Sequence, residues 1–502
     1  MQAVKILNHL QIKEWDAYTI QSEPISSLDL MERASLTFVE CLLEYYPNHS
    51  FEIWCGLGNN GGDGLAVARI LVQRNYSVKL RILRYSENTS SDFEANYNRL
   101  PTDLETLEIY NQTEFPNIEK NTILIDAILG SGFTRKLDGL IQEAVLFLNQ
   151  TKSEIVSIDI ATGLFTNKSS KTNICIKPKL TISFQNPKLC FFFNENENFV
   201  GDWVITDISL SKEFIKKVDT NYFYLNKKFI SSFIKKRSKF SHKGNFGKAL
   251  LVVGSQGKMG AAVLSSKACI RTGIGLLTVH IPKIGNTILQ VSVPEAMVIL
   301  DQKKDFISKT KYNPLEINSI GIGPGIGTRK ETLKHLEYII SNYLFPIVLD
   351  ADAINLFSEN RSLLKKIPSN SILTPHPKEL ERLIGKFPNE WKRMEAVQNF
   401  SQEFNLFIIL KGHYTSIFTP EKKVYFNSTG NSGMATGGSG DVLTGILTSL
   451  LAQKYSPLET CLLGVYIHGL AGDLALKNQS IESLTPSDCI NSLGEAFISL
   501  KN

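Results

Sequence analysis

The sequence predicts an α/β protein of two domains, each a mostly parallel sheet with helices packed on both faces. Three observations carry that reading. At 502 residues the chain exceeds one ordinary domain. In both halves, short apolar runs ending in small or acidic residues alternate with helical patterns. Glycines crowd twice between an apolar run and a helix, at residues 56–64 and 437–440.

Composition narrows the class. The chain is 43% hydrophobic and 21% charged, as expected of a protein with full cores. A net charge of +5, spread along the chain, does not argue for nucleic acid. Seven cysteines, with no Cys-x-x-Cys pair, favour reduced thiols over disulfides or a zinc site. The first residues lack the apolar core of a signal peptide, and no apolar run is long enough to span a bilayer. A cytoplasmic location with no membrane partner is therefore expected.

Taken in order, residues up to Tyr46 read as helical, with Ser27 as N-cap and apolar spacing through Leu43. A strand at 50–55 runs into Gly58-Asn59-Asn60-Gly61-Gly62-Asp63-Gly64, then a helix at 65–71. The oxygens of Asn59, Asn60 and Asp63 suit a hard cation, though the same residues favour turns for local reasons. Strands follow at 78–83, 122–126 and 154–159, with helices at 92–100 and 140–149. Asp126 and Asp159 end two of these strands, where open parallel sheets bind ligands. Gly130, Gly132 and the Arg135-Lys136 pair come next after Asp126 and suit a phosphate. Residues 180–184 and 201–205 read as the last strands of this half. Residues 211–239 are rich in lysine, serine and aromatics; a solvated linker or a boundary helix fits them better than a nucleic-acid patch. The domain boundary falls near residue 220, to within about ten residues.

The second half opens with a strand at 247–255, a helix through Arg271 and a strand at 273–279. Four further apolar runs, at 320–327, 347–355, 372–380 and 406–412, end in small, charged or ligand-like residues. Then comes Asn431-Ser432-Gly433-Met434-Ala435-Thr436-Gly437-Gly438-Ser439-Gly440-Asp441, followed at once by a helical run. Glycines before a helix leave N–H groups uncovered, and the helix dipole adds positive charge, which together suit an anion. A carboxylate at Asp441 would repel a phosphate. It makes sense as a base on a hydroxyl that attacks the phosphate; the alternative is an acid in the first turn beside a flexible loop. No fixed-period repeat relates the halves.

With these motifs in view, residues 243–473 resemble the ADP/ATP-dependent NAD(P)H-hydrate dehydratases of the ribokinase-like superfamily. The resemblance lies in Gly254-Ser255, Gly260-Ala261-Ala262, Gly323-Pro324-Gly325, Asp350-Ala351-Asp352, Thr374-Pro375-His376-Pro377, Lys411-Gly412 and Gly437 to Asp441. Residues 24–210 resemble the NAD(P)H-hydrate epimerase domain through Gly58 to Gly64, Asp126, Gly130-Ser131-Gly132 and Asp159. In this order the halves resemble the bifunctional NAD(P)H-hydrate repair family. The fold implied is a Rossmann-like three-layer sandwich over 1–220 and a ribokinase-like α/β/α domain over 221–502. Four positions depart from the family pattern: Ser35, Ala161, Thr162 and Lys378.

The resemblance implies specific roles. Asp441 would be the base of a nucleotide-driven dehydration, with Ala262, Gly323, Gly325 and His376 at the hydrated nicotinamide. The alternative for His376 is a rigid turn between prolines. Lys411, Gly412, His413, Tyr414, Thr415, Asn431, Thr436, Gly437, Gly438, Ser439 and Gly440 would hold ADP or ATP with Mg2+. Asp350 and Asp352 would support a metal or cap a helix. In the first half Asn59, Asn60, Gly61, Gly62, Asp63, Gly130, Ser131, Gly132, Phe133, Thr134, Arg135, Lys136 and Asp159 would hold the substrate. Potassium would bind at Asn60, Asp126 and Thr162, and Asp159 and Lys188 are candidates for proton transfer. The implied partners are NADH and NADPH hydrates and a homo-oligomeric assembly. Two rivals stay open: a vitamin-precursor kinase on the second scaffold, and a non-catalytic binding module in the first half. A redox dehydrogenase fits less well, since neither half has the full dinucleotide fingerprint.

Overall fold

The computed structural model describes residues 3–309, 313 and 316–501. The chain divides into two compact units. One spans Lys5–Thr220 and includes Asn389–Trp391; the other holds Asn221–Pro388 and the residues from Lys392 on, with Ala3 and Val4.

After β1 (Val4–Lys5), the first unit contains α1 (His9–Ser22), α2 (Ser27–Tyr45), β2 (Ser50–Cys55), α3 (Asn59–Gln73), β3 (Val78–Leu83), α4 (Ser91–Tyr97) and β4 (Glu105–Ile109). It continues with β5 (Thr122–Ala127), α5 (Gly139–Gln150), β6 (Ile155–Ile158), β7 (Leu180–Phe184), α6 (Glu197–Val200), β8 (Asp202–Thr206) and α7 (Lys212–Lys217). Strands β2 to β8 form one sheet in the order β4-β3-β2-β5-β6-β7-β8, parallel at every pairing. The alternation in β2 shows how it is sandwiched. Phe51, Ile53 and Cys55 enter the core under α2, α3 and α4, while Trp54 enters the core on the α5 face. This is the three-layer sandwich the sequence predicts.

The N-terminal helical stretch differs from expectation. It is two helices, broken after Ser22 ahead of Pro24, and the cap of α2 is Ser26 rather than Ser27. Ser26 accepts from Asp29 N while Asp29 accepts from Ser26 N, a reciprocal cap.

The second unit contains β9 (Tyr222–Tyr224), α8 (Lys227–Ser231), β10 (Lys248–Val252), α9 (Met259–Arg271), β11 (Leu276–Ile281), α10 (Asn286–Ser292), β12 (Met297–Leu300) and β13 (Ser319–Ile322). Next come α11 (Lys330–Asn342), β14 (Val348–Leu349), α12 (Asp352–Glu359), β15 (Ile372–Leu373), α13 (Pro377–Ile384), α14 (Glu390–Phe404) and β16 (Phe407–Leu410). It ends with β17 (Ser416–Phe418), β18 (Val424–Phe426), α15 (Ser439–Ala452), α16 (Pro457–Ala475) and α17 (Pro486–Ser499). The sheet runs β1-β9-β18-β17-β16-β15-β14-β13-β10-β11-β12. It is parallel from β16 to β12, and the β17–β18 hairpin adds two antiparallel pairings. Residues 211–239 supply the short helices α7 and α8 with β9 between them, which agrees with the boundary-helix reading rather than a bare linker.

Helix α15 is buried along its length from Val442. It packs on α9 so closely that a Cβ at Gly445 would lie 2.1 Å from Ser265 O. The end of α15 that carries Asp441 is therefore positioned by the core. All seven cysteines are free. Among the described residues, no helix is long and apolar enough to cross a membrane.

Candidate active sites

In the first unit a cavity of about 690 Å³ lies past the C-terminal ends of the central strands. The segments after β2, β5, β6 and β7 build its floor through Gly58, Asn60, Gly130, Asp159 and Lys188, while α1 and α2 wall it. Asn59, Asn60, Asp63, Gly130, Ser131, Gly132, Phe133 and Asp159 line it. Gly61, Gly62, Thr134, Arg135 and Lys136 are not among its walls, and the last three are exposed.

The glycines have a different job from an open phosphate loop. Helix α3 begins at Asn59, so Asn59 to Gly64 form its first turns rather than a turn ahead of it. A Cβ at Gly61 would lie 2.0 Å from Gly56 O, and one at Gly64 would lie 2.5 Å from the Ala127 Cβ. They let α3 sit directly on the sheet, with its N-terminal end opening into the cavity.

Asp159 is held on all sides. It pairs with Lys188 Nζ and accepts from Ser183 Oγ at 3.2 Å and Phe184 N at 3.0 Å. Its φ of +64° turns the backbone left-handed, a conformation Asp tolerates better than most residues. Lys188 is buried and also donates to Ser183 Oγ at 2.7 Å. Burial pushes the Asp63 carboxyl well above its usual range, helped by Asp159, Asp16 and Asp92. Asp16, on α1, also lines the cavity. A single acid in a largely exposed helix gives no local signal in the sequence.

Below the cavity, Asp126 is almost wholly buried. It accepts from Ser157 Oγ (2.8 Å), Thr162 N (2.8 Å), Thr162 Oγ1 (2.6 Å) and Ile128 N (3.3 Å). Burial raises its carboxyl, and the bonds from Thr162 and Ser157 oppose that. Asn60 donates to Ile158 O at 3.1 Å, but its buried Oδ1 has no hydrogen-bond partner.

In the second unit Asp441 is the third residue of α15, after Gly438 at φ +99°. Its neighbours form a charged cluster. Lys411 Nζ reaches Asp350 Oδ1 at 2.8 Å, and Thr444 Oγ1 donates to Asp350 Oδ2 at 2.8 Å. A Cβ at Gly440 would stand 3.2 Å from Lys411 Nζ, so glycine is what lets the lysine approach the helix end. Burial and then Asp350 push the Asp441 carboxyl up to about 7, against the pull of Lys411. Burial works against the charge of Lys411, but Asp350 and Glu379 outweigh it and hold the ammonium above its ordinary value. His468 on α16 meets Ser439 Oγ at 3.3 Å; burial and Lys411 push its imidazole down to about 4.

The remaining predicted residues are placed as follows. Ala351, between the two acids, has φ +48° and ψ −119°, a conformation that favours glycine. It sends Asp350 towards α15, while Asp352 accepts from Lys258 Nζ (3.1 Å) and Gly327 N (2.8 Å). Gly323, at φ +135°, lets its loop lie against Asp350; a Cβ there would meet Asp350 O at 1.8 Å. Gly325 lies against Lys258, whose Cβ would be 3.0 Å from one added there. Ala262 is fully buried in the core between α9 and the sheet, so its methyl presents nothing to a ligand. His376 is exposed and caps α13, its Nδ1 accepting from Lys378 N at 3.2 Å. The Gly412–Thr415 turn closes on itself, Thr415 Oγ1 donating to Gly412 O at 3.1 Å, with the His413 and Tyr414 rings 4.4 Å apart. Asn431 braces its own loop: its Nδ2 donates to Asp473 Oδ1 (2.9 Å) and its Oδ1 accepts from Gly433 N (3.1 Å). Asp473 Oδ2 accepts from Gly430 N at 2.9 Å. Thr436 and Gly437 are exposed, and nothing lies within 4 Å of a Cβ at Gly437. His468 and Asp473 were missed in the sequence, yet they stand alone as charged or imidazole side chains within the apolar run 461–475.

A family model for the NAD(P)H-hydrate dehydratase matches residues 249–494, and one for the YjeF-related protein N-terminus matches residues 27–190. A bifunctional NAD(P)H-hydrate repair enzyme Nnr from Moorella thermoacetica is 32% identical over 93% of this chain and 92% of its own length. One of the same description from Coxiella burnetii is 30% identical, over 95% of this chain and 96% of its own length. The solved structure of an ADP/ATP-dependent NAD(P)H-hydrate dehydratase from Bacillus subtilis, co-crystallized with ATP/Mg2+, aligns at TM-score 0.49 and 28% identity, covering 55% of this chain and 97% of that one.

Proposed function

Because the chain belongs to the family of bifunctional NAD(P)H-hydrate repair enzymes, we propose that it returns hydrated NADH and NADPH to use in two steps. The unit around residues 1–220 interconverts the R and S hydrates. The unit around residues 221–502 dehydrates the S form at the expense of ADP or ATP. The observation that carries this reading is the likeness to the Moorella enzyme, which runs across both units of the chain. A vitamin-precursor kinase on the second unit would leave the acid-lined cavity of the first without a purpose.

In dehydration the chemical obstacle is the leaving group. Asp441 takes the proton of the C6 hydroxyl as that oxygen attacks the terminal phosphoryl of the nucleotide. The N–H groups of Gly437 to Gly440 and the ammonium of Lys411 stabilise the charge on that phosphoryl. Phosphate then departs from C6 and a proton from the adjacent carbon, which restores the double bond. The raised carboxyl of Asp441 suits a base working near neutrality. Mg2+ is held by few protein groups and mainly by substrate phosphates; Asp350 and Asp352 are the carboxylates that would face it. When bound it would supply positive charge to the transferred group.

In the first unit, Asn60 Oδ1 and the buried Asp126 fit a monovalent cation. The one oxygen is orphaned, and the other group is a buried carboxylate with no cationic side chain paired to it among the described residues. Thr162 contributes by fixing Asp126. Potassium there would supply a fixed positive charge near the strand ends. Asn59, Asp63, Gly130 to Phe133 and Asp159 bind the hydrate. A cytoplasmic homo-oligomer belongs to the same proposal.

The test is a mixture of both hydrate epimers with ADP or ATP and Mg2+, followed by the return of NADH absorbance. Complete recovery is expected. Recovery that stops when one epimer is consumed would sink the epimerase half of the reading, and no recovery with either nucleotide would sink the whole.

A further inference from the structure

We propose that Asp16 on α1 is a second proton-transfer residue of the first unit's cavity, serving the C6 hydroxyl together with Asp159. This deepens the epimerase reading and rests on it.

Helix α1 turns His9, Lys13 and Asp16 towards the cavity, at the three- and four-residue spacings that share one helix face. The helix is anchored from elsewhere: Trp15 Nε1 donates to Ser211 O at 2.8 Å and its ring stacks on Phe214 of α7. Asp16 does none of that anchoring. Among the described residues no amide, hydroxyl or cation bonds its carboxyl, whereas the Asp29 carboxyl at the start of α2 is held by Ser26. A half-buried carboxyl aimed into a cavity with no structural partner is available for chemistry.

Asp159 is its opposite. It is clamped by Lys188, Ser183 and the Phe184 amide. Two carboxyl groups in one cavity, one ion-paired and one unpartnered, are placed to hold the proton unequally, which is the condition for splitting acid and base roles. Burial and the nearby Asp159 push Asp16 up to about 7, with Lys188 pulling the other way. The remaining charged groups lining this space are Asp63 of α3, Asp92 of α4, and Lys13 and His9 of α1 itself. Helix α2 presents only Ser27, Leu30, Met31 and Ala34, and no side chain of α7 reaches the cavity wall.

The step balances without a redox partner. C6 carries a hydroxyl and adjoins the ring nitrogen. The protonated Asp16 gives its proton to that hydroxyl, the C6–O bond breaks, and water leaves with the electron pair. The nitrogen lone pair forms a C6=N1 double bond. Water then adds to the other face of C6 and gives a proton to Asp159, returning the electron pair to nitrogen. Run in reverse, the two carboxyl groups exchange roles.

The experiment uses the full chain without nucleotide, following each epimer by chromatography as it converts to the other. For Asp16→Asn, kcat should fall by about 10² to 10⁴-fold with KM little changed. Its pH profile should lose the inflection near 7 expected of the unaltered protein, while Asp16→Glu should keep an inflection and part of the rate. Nucleotide-driven dehydration of the S epimer by Asp16→Asn should match the unaltered protein, and an unshifted melting transition of the first unit shows that the unit carrying the variant still folds. Wild-type kcat in Asp16→Asn would overturn the proposal. So would a rise in KM alone with the pH profile intact, or a Glu variant as inactive as the Asn variant. An unaltered chain that interconverts neither epimer would instead defeat the epimerase reading beneath it.

Discussion

Replacing Asp441 with Asn should lower kcat for dehydration by about 10² to 10⁴-fold without weakening nucleotide binding. Asn keeps the size and the helix-start position of Asp441 and removes only the proton acceptor. It also removes one negative charge from a cluster that already holds Asp350, so the nucleotide phosphates meet less repulsion. KM for the nucleotide should therefore stay level or fall. The pH dependence follows from the same environment. A base must be ionised, and a carboxyl raised to about 7 is ionised to roughly a tenth at pH 6 and nine-tenths at pH 8. Dehydration by the unaltered chain should climb about tenfold between those values, and the residual rate of Asp441→Asn should not follow it. The assay is stopped-flow recovery of NADH absorbance from purified S hydrate at saturating nucleotide, from pH 5.5 to 8.5. An Asn variant within tenfold of the unaltered rate at pH 8, or a flat profile for the unaltered chain, would refute Asp441 as the base.

Gly61→Ala should cost the first unit at least about 3 kcal/mol, because the methyl would meet a backbone oxygen 2.0 Å away that cannot swing aside; a lowered melting transition with dehydration intact would bear this out. Asn60→Leu should abolish any rise in melting temperature on exchanging sodium for potassium, since it removes the orphaned oxygen; persistence of that rise would place the ion elsewhere. Asp473→Ala should raise the nucleotide KM about tenfold with little change in kcat, because two bonds that hold the Gly430–Asn431 loop are lost; titration of the nucleotide against initial rate measures it.

The strand ends were legible because burial forces a simple pattern. β2, β5 and β6 are mostly apolar, and Asp126 and Asp159 stand at the ends of the last two, where such runs meet solvent or ligand. What stayed hidden depends on contacts between distant residues. Asn59 to Gly64 look like a turn by propensity, yet they begin α3, because close packing on Gly56 and Ala127 outweighs the helix cost of glycine. The three-residue strands β17 and β18 are too short to show a period. Asp16 gave no signal, because only the folded chain turns α1 towards the strand ends. His376 shows the reverse: its cap on α13 accounts for one ring nitrogen by purely local chemistry.

Ala351 has a consequence for how this protein can change over time. Its backbone conformation is one that a branched side chain cannot enter without strain, and it alone sends Asp350 and Asp352 to different partners. Glycine is the substitution that leaves the path of the chain open there. Position 351 thus accepts only very small residues without strain, and the placement of both acids depends on it. A lineage that needed to retune one of them would have to act through Lys258, Lys411 or Thr444, the groups that hold them.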